Sequence, residues 1–395
     1  MAISIILYFS VRFKVRTMTV YFDNAATTKV CPEAAEAVVR AMTEDYGNPS
    51  SGYALGRAAA AKLREARETI AAALGAAPEE VFFTSGGTEG DNWAIRGAAY
   101  LQRHKCRHII TSGVEHDAVR QTMQALERDG WEVTYLTPDK SGAVTVEQVT
   151  EALREDTALV SLLLVNNETG AVNPMADISR AVKAANPRAL IHTDAVQAFL
   201  KVPFTPKKLD VDLVTISSHK IHGPKGAGAL YVRKGLRLPP ILTGGGQEGG
   251  FRPGTEAMPA ILGFAAAAKV GKEHFAENAR HMAELRAYLI DRLQKTFPEI
   301  VLIGDGQAPH ILSISLPGYK SEVLMNFLDA AGICVAKSSA CRKGARSHVL
   351  EAMDLPPEVI DGAIRVSLSR YNTAEEADYF VTTLVDAAAR LRRKK

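Results

Sequence analysis

Five short stretches of this chain are apolar on both faces, and each runs into polar residues and then a turn or a helical pattern. In chain order they are EVFFTS, RHIITS, TALVSLLLVNN, ALIHTD and VTIS, between Glu80 and Ser217. A strand with one wet face alternates apolar and polar residues, so a strand that does not alternate is covered on both sides. Helical patterns accompany these runs: GRAAAAKLREARETIAAALG closed by Gly75, TEGDNWAIRGAAYLQRH, a stretch from about Asp117 to Asp129, and MADISRAVKAANP stopped by Pro187. Buried strands separated by helices predict an α/β fold, with a large, mostly parallel sheet and helices on both faces. After about Phe264 the pattern changes. One long helical stretch runs to Lys295, and then short strands (HILSISLP, GICVAK, IRVSLS) alternate with helices, which predicts a smaller α+β domain.

A chain of 395 residues buries a large core without covalent staples. Its net charge of +3 is too small to point to nucleic acid. The only basic run is the terminal RLRRKK, read as a solvated helix end where cations are favoured. Cys31, Cys106, Cys334 and Cys341 form no CxxC pair, so no zinc or redox motif is present and a reducing cytoplasm fits best. The opening AISIILYFSV is about half the length that spans a bilayer. Its positive charge follows rather than precedes it, unlike a signal peptide. Residues 1–17 are therefore expected to be an upstream extension, with Met18 as the natural start and an added edge strand as the other reading, and no membrane association is expected.

Polar, chemistry-bearing residues collect where the apolar runs stop. In open α/β sheets ligands bind beyond the carboxyl ends of the strands. EVFFTS leads into Gly86, Gly87 and Thr88, and RHIITS leads to His116. TALVSLLLVNN ends at Asn166 and Asn167, ALIHTD at Asp194, and VTIS at His219 and Lys220. Any one of these is an ordinary cap or a structural histidine. Five together predict one rim, because parallel packing brings like ends to one edge.

Each fits one part of an aldehyde cofactor with a phosphate and a pyridine ring. The helix opened by Gly86-Gly87-Thr88 offers free N–H groups to an anion. Asp194 suits a protonated ring nitrogen, which makes the ring an electron sink. Lys220 suits a Schiff base, and its neighbours His219 and His222 would resist a second charge on it. His116 suits either stacking on the ring or proton transfer near neutral pH. Gln197, one helical turn after Asp194, and Asn167 are within reach of a ring hydroxyl. Arg365 lies inside the apolar strand AIRVSLS, where an unpaired charge is costly. It suits a substrate carboxylate, with a structural ion pair as the other reading and Arg370 as a rival. Cys341 sits among Lys337, Arg342, Lys343 and Arg346, cations that lower a thiol's pKa and favour the thiolate nucleophile. A plain surface thiol is the other reading there, and Cys334 reads as an inert core residue.

These residues stand in segments that resemble a known family: YFDNAATT, YGNPSS, FTSGGTEGDN, EHDAV, VNNETG, HTDAVQA, SSHKIHGPKG, GGGQEGGFRPGT, SACRKGARSHVL and IRVSLSRYNT. The chain is similar, from about Tyr21 to its last helix, to cysteine desulfurases of the group I, NifS/IscS-like type, in the class V aminotransferase branch of pyridoxal-phosphate enzymes. The resemblance implies fold type I. A large domain would span 33–264, and a small domain would span 18–32 and 265–395 and carry the Cys341 loop. It implies pyridoxal 5'-phosphate as cofactor, with Lys220 as the Schiff-base lysine, His116 on the ring, Asp194 at the ring nitrogen, and Gln197 and Asn167 near the ring oxygen. Thr88, Ser217 and His219 would bind the phosphate. Thr255 would reach the phosphate of a partner subunit, which implies a homodimer. Asn167 and Arg365 would hold the carboxylate of L-cysteine, and Cys341 would accept the sulfur as a persulfide. An iron–sulfur scaffold protein or a tRNA-thiolating enzyme would then receive it, with no direct contact to nucleic acid.

Three departures from the family pattern stand out. Lys337 and Ser338 replace a serine and a glycine before Cys341, which predicts a stiffer loop. Tyr53 replaces a histidine, and residues 1–17 have no counterpart. Two other readings accompany the desulfurase: selenocysteine lyase or another class V aminotransferase activity, and a non-catalytic binding platform of the same fold.

Overall fold

The computed structural model describes residues 19–337 and 346–391. The expectations for residues 1–17, and for Cys341 with Ser338, Arg342 and Lys343, lie outside the described residues. Strand β1 (Val20–Tyr21) is set apart from the strands that follow it. The next seven form one sheet: β2 (Val81–Thr84), β3 (His108–Ser112), β4 (Glu132–Leu136), β5 (Thr157–Ser161), β6 (Leu190–Asp194), β7 (Leu213–Ser217) and β8 (Gly228–Val232). Their spatial order is β2-β8-β7-β6-β5-β3-β4. Strands β3 to β7 pair in parallel, while β8 runs antiparallel to both β2 and β7. One reversed strand between β7 and β2 leaves those two parallel to each other. The carboxyl ends of β2, β3, β5, β6 and β7 therefore share one edge, as expected for the rim.

Successive residues of these strands feed two different cores. Ile110, Val160, Ile191 and Val214 pack on one face. Ile109, Leu159 and Leu213 pack on the other with Trp93. That division is the period-2 geometry of a strand covered twice. The helix Ala54–Leu74 buries Ala59, Leu63, Ala66, Ile70 and Leu74 at helical spacing, and Gly75 ends it at φ 74°, a left-handed cap that glycine adopts without a Cβ penalty.

Two sequence expectations change. TALVSLLLVNN is a strand only to Ser161. Beyond it Leu162 and Leu164 still donate to β6, at His192 O and Asp194 O. On the other side the Leu163 N–H turns instead to the Glu115 carboxylate at 3.1 Å, so pairing with β3 ends there. The long helix toward Lys295 is two helices, Met258–Glu273 and Phe275–Thr296, which meet at His274.

The remaining strands are β9 (Val301–Leu302), β10 (Ile311–Ser315), β11 (Ile333–Cys334), β12 (Ala336–Lys337) and β13 (Ala363–Ser367). They build a four-stranded antiparallel sheet, β12-β13-β10-β9, and a two-stranded pair, β1-β11. This part has its own core, in which Val20 and Phe22 join Leu289, Leu312, Val366 and Phe380. The N-terminal segment is stitched there: Ser367 N–H donates to Phe22 O at 2.7 Å, and Ala25 N–H donates to Ser367 Oγ at 2.8 Å. That stitching carries Asp23, Ala25 and Ala26 to the edge of the large sheet.

Candidate active site

The carboxyl ends of the parallel strands open on one cavity of about 590 Å³. Thr88, His116, Asn167, Asp194, Gln197, Ser217, His219, Lys220 and Arg365 all line it, together with Ala25 and Ala26 of the N-terminal segment. Thr255 does not. It is exposed, on a loop fastened to the large sheet by Glu248, whose carboxylate accepts from Phe83 N–H at 2.9 Å and from both terminal nitrogens of Arg67 at 2.7 and 2.6 Å.

One end of the cavity gathers groups that could hold an anion. The helix Gly87–Gln102 starts there, with its first N–H groups unpaired within the helix as in any helix. Ser217 Oγ is buried and has no hydrogen-bond partner among the described residues. His219 Nδ1 lies 3.2 Å from Thr27 Oγ1. Burial, then Lys220 and Lys225, push this imidazole down to about 4, so it is neutral near pH 7.

Lys220 is the last residue of a short 3-10 turn, Ser218–Lys220, at the end of β7. Its Nζ donates to Ala25 O at 2.6 Å and Ala26 O at 2.7 Å. Burial pushes the amine down to about 8 and the Arg365 cation pushes the same way, while the Asp194 and Asp23 carboxylates push back. The expectation that His219 and His222 hold the amine neutral is corrected. His222 is itself pushed to about 4, mainly by burial. Two uncharged rings cannot repel an ammonium; the desolvated position and the guanidinium do so. His222 is a fastening instead, its Nδ1 2.9 Å from Lys29 O and its N–H on Thr28 Oγ1 at 2.8 Å.

Asp194 ends β6 and is buried, its Oδ1 accepting the Val196 N–H at 2.9 Å. Burial raises its pKa, and His116, the Val196 N–H and Lys220 oppose the rise. His116 caps the helix Asp117–Arg128, its Nδ1 accepting the Ala118 N–H at 3.1 Å. An acceptor Nδ1 leaves the ring proton of the neutral form on Nε2. The residue is exposed, so His116 is not a buried structural histidine, though it does cap a helix. Gln197 follows Asp194 through turns rather than a helix, and its Nε2 donates to Ala25 O at 2.8 Å.

Arg365 reaches the cavity from the middle of β13. Its terminal nitrogens donate to Asp23 Oδ1 and to Asn167 O, both at 2.8 Å, and its Nε has no partner among the described residues. Arg365 forms the structural ion pair, with Asp23, and it also lines the cavity. Arg370 lies outside that cavity, its guanidinium over the Tyr371 ring. Asn166 is a turn builder, its Oδ1 accepting the N–H groups of Glu168 and Thr169.

The structure adds residues that sequence reading missed. Asp91 lines the cavity one turn after Thr88 and lies beside Asp194. Glu168 is buried, accepts the Ser347 hydroxyl, and is pushed to about 7 by burial. Lys201 is buried without a partner among the described residues, and burial pushes it down to about 7. The GTEGDN and VNNETG segments carried Asp91 and Glu168 in plain view. An acid inside a helix or turn gives no sign in sequence of which way it faces.

The cavity therefore brings together a helix N-terminus, buried carboxyl groups, an amine pushed down to about 8 and a guanidinium. Known proteins share this chain's make-up. The Aminotransferase class-V family matches residues 20–380. "Cysteine desulfurase IscS" of Methanosarcina thermophila is 42% identical over 377 residues, covering 94% of this chain and 93% of that protein. A "Cysteine desulfurase" of Trichormus azollae is 43% identical over 377 residues, covering 94% of each. A solved structure titled "NIFS-LIKE PROTEIN" superposes with a TM-score of 0.90 at 40% identity, covering 95% of this chain and all of that one.

Proposed function

We propose, from the premise that this chain belongs to the class-V aminotransferase family in its group I cysteine desulfurase branch, that it removes sulfur from L-cysteine and leaves L-alanine. The observation that carries the reading is Lys220: an amine pushed to about 8, in one cavity with Asp194 and Arg365.

The residues present fit pyridoxal 5'-phosphate. Ser217 Oγ, a buried hydroxyl without a partner among the described residues, stands beside Thr88, His219 and a helix N-terminus and suits the phosphate. Asp194 suits the ring nitrogen, Gln197 and Asn167 the ring oxygen, and Lys220 Nζ the aldehyde carbon. When bound, the cofactor supplies an electron sink that stabilises negative charge at the substrate α-carbon. Thr255, exposed on its loop, suits the phosphate held by a second copy, so the working form is a homodimer.

In this reading Arg365 and Asn167 hold the substrate carboxylate. Lys220 Nζ takes the α-proton, a task suited to an amine with a pKa near the working pH. His116, with its proton on Nε2, is placed to move a proton at the substrate. The Cys341 thiolate attacks the substrate sulfur. The carbon–sulfur bond breaks as a sulfur–sulfur bond forms, the β-carbon takes up a proton, the α-carbon regains the proton held by Lys220, and alanine leaves while the persulfide stays on Cys341. Arg346 lines the cavity near that thiol in sequence and favours the thiolate. The sulfur then passes to an iron–sulfur scaffold protein or a tRNA-thiolating enzyme in the cytoplasm. No helix among the described residues is long and apolar enough to cross a membrane.

The test is alanine formed from L-cysteine with a reductant present, by the cofactor-loaded wild type beside Lys220→Ala. Alanine from the wild type and almost none from the variant is the expected result. Transamination products without alanine from the wild type would overturn the desulfurase reading.

A further inference from the structure

Two acids share the buried side of the cavity. Asp91 is 1% exposed and Asp194 7%. One oxygen from each, with a ring nitrogen of His116, lie within 4.8 Å of one another. Like charges this close in a desolvated site do not both ionise, so the pair holds a proton.

Geometry decides which acid keeps it. Asp194 has an N–H donor on Oδ1 from Val196 at 2.9 Å, and the His116 ring and Lys220 amine favour its charge. Asp91 Oδ1 has no hydrogen-bond partner among the described residues. His192 Nε2 lies 3.6 Å from it, beyond hydrogen-bond reach, and engages Thr215 Oγ1 at 3.0 Å instead. Nor can His192 offer a cation, since burial holds it at about 3. The other groups acting on Asp91 are Glu115, a third buried acid, and the Thr215 hydroxyl, of which only the hydroxyl favours ionisation. The helix cannot draw back to relieve the pair without giving up close packing. A Cβ on Gly90 would meet Thr215 Cγ2 at 2.7 Å, so the helix backbone lies pressed on β7.

We propose that Asp91 is a positioning residue for Asp194: it stays a neutral carboxylic acid beside Asp194, so the pair carries one negative charge, on Asp194. It touches no reacting atom. It leaves Asp194 as the anion of the pair that would hold the ring nitrogen, and this use of the pair rests on the cofactor reading above. The protonation of Asp91 does not rest on it, because it follows from the chain's own atoms.

Infrared spectra of the full chain, with and without pyridoxal phosphate, read that proton directly through the stretching band of a protonated carboxyl. Glu115 and Glu168 add bands of their own, so the reading is the difference between wild type and Asp91→Asn at pH 7. The expected result is one protonated-carboxyl band lost in the variant, with cofactor affinity kept within about three-fold, because asparagine mimics the neutral acid. Identical carboxyl spectra would overturn the proposal. Asp194→Asn gives a second reading should Asp91→Asn fail to fold. With the neighbouring charge gone, the Asp91 band should titrate lower by about one pH unit or more. An unmoved midpoint would show that the two acids are not coupled. A lost band in a protein that never takes up the cofactor would sink the functional reading and leave the Asp91 proton in place.

Discussion

The two sheets contribute to the cavity in opposite ways. The seven-stranded sheet delivers its site residues at or just past the carboxyl ends of its strands, where the backbone ladders stop. The four-stranded sheet delivers one charge, Arg365, from the middle of a strand, paired in register with Ser313 and Ala336. A residue past a strand end can point at a ligand with little cost to the core. A charge inside a strand must bring its own partner, and Arg365 has Asp23. The rim can therefore be altered mainly at the expense of chemistry, whereas Arg365 is tied to stability as well.

Mutations can break or sharpen that contrast. The largest effect belongs to the rim: Lys220→Ala should lower alanine formation by about 10³-fold or more, with thermal stability no lower than wild type. A large loss of stability would mean that the rim is not separable from the core. Arg365→Met should act twice. It should weaken apparent L-cysteine binding about ten-fold or more through a lost charge-assisted contact. It should also cost about 3 kcal/mol in urea unfolding, by stranding Asp23. Loss of binding alone would break the contrast.

Lys201→Met tests a buried cation outside both roles, and here the sign matters. The folded pKa is about 7 against an ordinary 10.5, so the fold disfavours the charged form. The penalty is fully present below about pH 7 and fades as pH rises from about 7 to 10.5, where the unfolded chain alone is protonated. The variant should therefore be more stable than wild type by about 2 kcal/mol at pH 6, and this gain should shrink toward pH 10. A pH-independent gain would argue for packing instead. The smallest effect is Ser217→Ala, which removes a hydroxyl with no partner among the described residues. Stability should change by about 1 kcal/mol or less, while pyridoxal phosphate should bind about five-fold more weakly by equilibrium dialysis.

The rim was legible because it depends on local signals: a doubly buried run, then a polar residue, repeated on five strands that point the same way in one mixed sheet. Lys220 and Asp194 could be named from that pattern alone. The reversed strand β8 was harder to read, since GALYV follows a glycine-rich turn and nothing local gives its direction. The early end of β5 was hidden because a distant side chain, Glu115, takes the Leu163 N–H that a further ladder bond would have used. The partner of Arg365 was equally hidden, because Asp23 lies at the other end of the chain and meets it only through the stitching of Phe22 and Ala25 to Ser367. The cause of the lowered Lys220 pKa was misread for the same reason. Neighbours in sequence were visible, but burial and Arg365 are properties of the folded chain.

In the proposed reaction sulfur leaves L-cysteine by transfer to this chain. The most direct test is the mass of the peptide holding Cys341 after a single turnover with L-cysteine and no reductant. This peptide should gain one sulfur atom for each alanine released. Alanine released with no added sulfur on that peptide would contradict it.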